Sequence, residues 1–360
     1  MNELNFIFVW LASWLVLSTM TDFTVWENVN GKMVRRWSKG AAFLVFLPIF
    51  LIACLGRARS DTILYVSSFE AFSSNWRDLI ESLRTAESGQ AFAILQFAVK
   101  KIFGNSVIAY RVILALIHSI PVVLICRKYS ESYLMTMFLF VTSAVHVAWM
   151  MNGIRQFIAT VIIFAGTPYL LKKKYLPMIA LVLFASTFHV TALLMLPIIF
   201  IVQGKAWNEK TVFYIVVALV AMYVFDTYTG VMDFMLQGTE FEGAVDNWQA
   251  MGDDGVNPIR VFVNAIPMIL AFLGRNHIKQ ENDAMLNICV NMSVVTTGLY
   301  LIGMVTSGVM VGRLPIYTSL YNLILLPNLI PKMFTESSTR MVRLIMTGFY
   351  LLYYMIEVGF

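Results

Sequence analysis

Apolar stretches of roughly 15 to 20 residues, separated by short polar loops, recur along the whole chain, and each is long enough to cross a hydrocarbon core as a helix. Of 360 residues, 59% are apolar and only 13% charged, with a mean hydropathy of +0.74. That balance excludes the pair of soluble domains the length would otherwise suggest. The expectation is one all-α polytopic membrane domain over residues 1–360, with about 12 transmembrane helices. The net charge of +5 is modest and collects in short loops, so it speaks of topology and not of nucleic acid. Cys54, Cys126 and Cys289 lie far apart in or beside apolar runs and suggest neither a disulfide framework nor a metal site. The first run, Leu4 to Met20, lacks a basic start and a small-residue cleavage site, and reads as a retained helix.

The next loop carries Lys32, Arg35, Arg36 and Lys39, which the positive-inside rule places in the cytoplasm. Arg127-Lys128, the run Lys172 to Lys174, Lys205 with Lys210, Arg275 to Lys279, and Lys332 to Arg343 then fall on the same side, leaving both termini outside. Residues 57–106 become an outer section. There Phe69, Phe72, Trp76, Leu79, Ile80 and Leu83 recur at near-helical spacing, as in an amphipathic interfacial helix. Ala91 to Phe103 is too short to span and reads as re-entrant or interfacial. Tyr175 to Ser186 and Val190 to Val202 read as a helical hairpin with Thr187-Phe188-His189 at its outer tip, and residues 226–257 as an acidic outer loop without Lys or Arg.

Folded this way, the chain collects Arg57, Arg59, Asp61, Tyr65, Arg111, His146, Asn152, Arg155, Gln156, His189, Arg260 and Arg313 at the outer boundary. Arginine is depleted on that side, so a cluster of it reads as an anion site for the phosphate or pyrophosphate of a lipid carrier. Each position has a plainer alternative. Arg57 and Arg59 either clamp phosphate or anchor a helix end at the headgroups. Asp61 either takes a proton or spaces the arginines. Arg155, one turn into an apolar helix, has a functional role or a buried partner. Arg313, at a helix start, adds to the dipole for a phosphate or snorkels. His189 accepts a proton or is a satisfied structural residue, His146 reads as structural, Asn152 hydrogen-bonds between helices, and Tyr65 is a belt aromatic. There is no zinc-protease, nucleotide-loop, nucleophile-elbow or dinucleotide motif, and no Asp-x-Asp pair or cysteine cluster. Chemistry without cofactor or metal would run on arginine electrostatics, with Asp61 or His189 as proton acceptor.

The order of motifs is more specific than any one of them. Arg57, Asp61 and Tyr65 follow the second apolar run; then come Asn152-Gly153-Ile154-Arg155-Gln156, Ser186-Thr187-Phe188-His189-Val190-Thr191-Ala192, and a late Arg313 with Tyr317 and Leu326-Pro327. In this the chain resembles the EpsG-like branch of the Wzy-type polysaccharide polymerases, over most of its length. The resemblance implies a GT-C-like multi-helix glycosyltransferase bundle in a bacterial inner membrane. Such an enzyme joins oligosaccharide repeat units carried on undecaprenyl pyrophosphate at the outer, periplasmic face, as in O-antigen, capsule or exopolysaccharide synthesis. A chain-length regulator and a flippase of the same pathway are implied partners beside membrane lipid. On this reading Arg155 and Arg313 clamp pyrophosphate, Arg57 and Arg59 serve the same or a second lipid, and Tyr65, Asn152, Gln156, Arg260 and Tyr317 bind substrate.

Two other classes use similar parts. A lipid-linked oligosaccharide flippase also needs a cationic cavity, but it carries charge through the depth of the bundle and repeats its halves; here the charge gathers at one face. A glycan ligase would use much the same cationic site, and a membrane acyltransferase would centre on a histidine.

Overall fold

The computed structural model describes residues 3–29, 31–57, 61–85, 88–227 and 254–358. Apart from one β-hairpin, the regular elements are helical, an all-α membrane architecture. In chain order they are α1 (Glu3–Met20), β1 (Thr24–Val29), β2 (Lys32–Trp37), α2 (Lys39–Leu55), α3 (Asp61–Ala71), α4 (Trp76–Thr85), α5 (Gln90–Phe103) and α6 (Val107–Tyr129). There follow α7 (Tyr133–Thr142), α8 (Val145–Met151), α9 (Ile154–Ala165), α10 (Thr167–Leu171), α11 (Tyr175–Ser186), a 3-10 turn (Val190–Leu194), α12 (Met195–Ile201) and α13 (Glu209–Thr227). The chain closes with α14 (Pro258–Leu273), α15 (Arg275–Glu281), α16 (Ala284–Val305), a second 3-10 turn (Val311–Arg313), α17 (Ile316–Met333) and α18 (Glu336–Val358).

Among the described residues, α6, α16 and α18 are long and apolar enough to cross a membrane, and the count rises to five if the bent pairs α7–α8 and α14–α15 are each one span. These spans do not establish the expected number of about 12: other apolar helices, such as Phe6–Met20 and Lys39–Leu55, are shorter, and some apolar blocks are interrupted. The block from Ser132 to Trp149 breaks between α7 and α8, which meet at 70°, where Ala144 takes φ +59°. The block that begins at Asn152 breaks at Gly166, where a Cβ would lie 2.6 Å from Met178 Sδ. Residues 57–106 form α3, α4 and α5; α4 lays Trp76 against Phe97 of α5, ring centroids 4.5 Å apart. The acidic loop lies outside the described residues from 228 to 253.

The described chain divides into two units, residues 1–196 with 340–360, and 197–339. In the first, α6 packs along α2 and α9, and α9 along α11. Helices in lipid gain little from the hydrophobic effect and rely on close packing and hydrogen bonds. Phe69 stacks on Tyr110 at 4.2 Å, and Tyr133 donates its hydroxyl to Ala42 O at 2.8 Å. In the second unit, α16 is the hub for α13, α14 and α17. Its polar side chains are used internally: Asn291 donates to Val202 O at 3.0 Å, and Thr296 shares a 2.7 Å hydrogen bond with Thr318.

The basic loop after α1 is a structured hairpin, which the sequence reading did not anticipate. β1 and β2 pair antiparallel from Thr24↔Trp37 to Val29↔Lys32, with Gly31 at φ +87° in the turn. The hairpin is fastened to the end of α6. Arg127, 2% exposed, donates from Nε to Trp37 O at 2.7 Å and pairs with Glu27. Arg36 Nε donates to Lys128 O at 2.8 Å. Trp14, Phe23, Trp37 and Tyr133 form an aromatic cluster beside it.

Breaking the buried pair leaves an uncompensated charge. Arg127→Ala is expected to cost about 3 kcal/mol, seen as a lower unfolding midpoint in detergent. Arg35→Ala breaks only the exposed pair with Asp22 and is expected to cost less than about 1 kcal/mol.

Candidate functional site

The site residues of the first unit are positioned by the interruption between α8 and α9. Asn152 ends α8 and Gly153 precedes α9. A Cβ on Gly153 would fall 2.0 Å from the Trp149 ring, so only glycine lets the chain turn there. The turn places Asn152 on the wall of a cavity of about 210 Å³, shared with Arg57, Thr62, Arg111, Ala144 and Tyr354 and otherwise apolar.

Arg57 follows Gly56, the cap of α2, and is exposed. Arg111 reaches the same place from α6, but its Nη2 donates to Ala53 O at 3.1 Å and Gly56 O at 2.6 Å. It caps the carbonyl end of α2, where a cation is favourable, and so holds the peptide that carries Arg57. Its Nε is buried with no partner among the described residues. Asp61 opens α3, at the helix end that favours a carboxylate. Next to it Thr62 donates its hydroxyl to Met151 O, which fixes the start of α3 beside Asn152.

One turn further along α3, Tyr65 packs edge-on against Phe92 of α5 at 5.5 Å. The residue before α5 is Gly89, at φ +84°. A Cβ there would lie 2.7 Å from Arg155 Nη1; glycine at this point admits the guanidinium to the start of α5. Arg155 Nε is buried and has no partner among the described residues. Ala91 N donates to Thr187 O at 3.1 Å, which ties the start of α5 to the end of α11. Two residues on, His189 Nδ1 shares a 2.7 Å hydrogen bond with the Thr191 hydroxyl. Thr62 thus ties α3 to the end of α8, Tyr65 ties α3 to α5, and the start of α5 meets Arg155 and the end of α11.

Other residues singled out from the sequence lie elsewhere. Gln156 is 4% exposed and faces the interior of its unit. His146 is buried, bonded at Nδ1 to the Ser143 hydroxyl at 2.7 Å and stacked on Phe140; it is part of the packing. Arg59 lies outside the described residues. Arg260, Arg313 and Tyr317 belong to the second unit. Arg260 is half-buried in the first turn of α14, Arg313 is half-buried in the 3-10 turn before α17, and Tyr317 is 1% exposed within α17. Sequence reasoning missed Thr62, Gly89 and Tyr354. Ser88-Gly89 ahead of an apolar run is a turn signal that marks Gly89; nothing in the pattern marks Tyr354.

The fit of Gly153 against Trp149 is directly measurable. Gly153→Ala is expected to destabilise by roughly 1–3 kcal/mol through overpacking. Trp149→Ala in the same chain should relieve part of that cost, so a double-mutant unfolding cycle should give a favourable coupling.

Compared with known families, residues 41–359 match the model of the EpsG family. No curated protein and no solved structure matches the chain.

Proposed function

The chain belongs to the EpsG family, and from that premise we propose that it is a metal-independent polysaccharide polymerase of the bacterial inner membrane. Its donor is an oligosaccharide chain on undecaprenyl pyrophosphate, its acceptor is a second lipid-linked repeat unit, and the reaction runs at the periplasmic face with both termini on that side. The acceptor hydroxyl attacks the anomeric carbon of the donor's first sugar. The new glycosidic C–O bond forms as the bond to pyrophosphate breaks, and the lipid pyrophosphate leaves with the electron pair. The hydroxyl proton passes to Asp61 or His189.

The observation that carries this reading is Arg155. Its guanidinium lies against Gly89 at the start of α5, the positive end of a helix. Two positive ends in one place favour an anion between them, and a guanidinium fork suits the developing charge of a departing pyrophosphate. Arg57 and Asn152, on the neighbouring cavity, serve the carrier's phosphates on the same reading. Its mainly apolar walls suit the chain that bears them. Arg313, from the second unit, is proposed as a further clamp, with Arg260 and Tyr317 as substrate contacts.

The decisive experiment incubates purified protein in nanodiscs with a lipid-pyrophosphate repeat unit and resolves products by size. The wild type should give a ladder. Arg155→Ala should lower its rate by about 10²–10³, the loss seen when one preorganised donor to a developing oxyanion is removed. Arg155→Lys should recover only part, because an ammonium lacks the fork. Of Asp61→Asn and His189→Gln, the variant that removes the base should abolish the ladder while leaving substrate binding in place. Binding without any ladder, together with movement of the lipid between leaflets of reconstituted vesicles, would replace the polymerase with a flippase.

A further inference from the structure

We propose that the outer face of the β1–β2 hairpin is a docking surface for anionic lipid headgroups. The pleat divides the hairpin into two faces. Val25, Glu27 and Val29, with their partners Arg36, Val34 and Lys32, point one way; Thr24, Trp26 and Asn28, with Trp37, Arg35 and Met33, point the other. The first face is in use: Glu27 pairs with Arg127, Arg36 donates to Lys128 O, and Val29 is buried. The second is open. Trp26 is 67% exposed and Met33 59% exposed.

This exposure is built in. A lone two-stranded hairpin is marginal in water, but this one is held to α6 through Arg127, Glu27 and Arg36 and braced by Trp14, Phe23 and Trp37. The anchoring fixes which side chains face outward. Height follows from the chain: the hairpin joins two apolar helices, α1 and α2, and rests on the end of the membrane-length helix α6. It therefore stands at the edge of the hydrocarbon, where indole and thioether side chains find an apolar layer beneath a polar one.

Charge selects the occupant. From residue 22 to 39 there are four cations, Lys32, Arg35, Arg36 and Lys39, against two carboxylates, Asp22 and Glu27. Both carboxylates are engaged, with Arg35 and Arg127. Lys32 and Lys39 are exposed, and each cation near an anionic leaflet is worth about 1 kcal/mol. The exposed indole and thioether of this face, with Lys32 beside the turn and Lys39 at the start of α2, stand at membrane depth and match a layer of anionic headgroups over hydrocarbon. This inference does not depend on the polymerase reading.

The test uses the full-length protein with Met33→Cys carrying a polarity-sensitive dye; the native Cys54, Cys126 and Cys289 are all buried and leave position 33 as the exposed thiol. The protein is placed in nanodiscs of phosphatidylcholine, alone or with roughly a third phosphatidylglycerol. A lipid-borne nitroxide should quench the dye about threefold more in the anionic discs, with iodide quenching reduced to match. Lys32→Gln with Lys39→Gln should return it to the level in neutral discs. Trp26→Ala should weaken nitroxide quenching in both, because the apolar part of the contact is lost. A dye that stays open to iodide and indifferent to the nitroxide in both compositions overturns the proposal. So does a dye shielded from iodide but not reached by the nitroxide, which would mark the face as a protein contact.

Discussion

A carbonyl at the end of a helix has no partner within the helix, and in an apolar surrounding no water replaces it. Several of this chain's cations answer that constraint. Arg111 closes the end of α2 through Ala53 O and Gly56 O. Lys100 closes the end of α3 through Phe69 O and Glu70 O. Arg36 takes the Lys128 carbonyl at the end of α6, and Arg127 the Trp37 carbonyl at the end of β2. These side chains join short helices into a unit that could not be held by apolar contact alone, since lipid competes for apolar surface on equal terms.

This division of labour sharpens the candidate site. Arginines near an outer boundary look alike in a sequence, yet they separate once their donors are traced. Arg111 is committed to main-chain oxygens, and its effect on any ligand comes mainly through the segment it steadies. Arg155 stands against a glycine at the positive end of a helix, with its Nε buried and without a partner among the described residues. Arg57, next to the cap of α2 that Arg111 holds, is exposed at the cavity that Arg111 also lines.

Much of this was legible beforehand for a simple reason: apolar run length is a direct consequence of helix rise and membrane thickness. The boundaries of α1, α2, α6, α14, α16 and α17 fall close to where the runs begin and end. The motif order also brought Arg57, Asp61, Tyr65, Asn152, Arg155 and His189 into consideration, and all six lie in the first unit. What stayed hidden depends on tertiary context. Ala144 adopts a left-handed conformation with no glycine or proline to announce it. The hairpin hid inside a loop recognised only by its charge, because Trp26 and Met33 face outward and give no inward alternation. Whether Arg111 serves the backbone or a ligand depends on the carbonyls of α2, more than fifty residues away.

The left-handed residue has a wider consequence. Ala144 bends α7 against α8 and lies in the cavity wall together with Val141, Val147 and Ala148. One wall of the hollow is therefore set by a main-chain conformation, while its shape and polarity also belong to the side chains around it. Those two properties can be inherited separately. Exchanging one small aliphatic residue for another on the wall can retune what fits without closing the space. A lineage built on this scaffold can thus reshape the hollow by single steps while the architecture underneath remains the same.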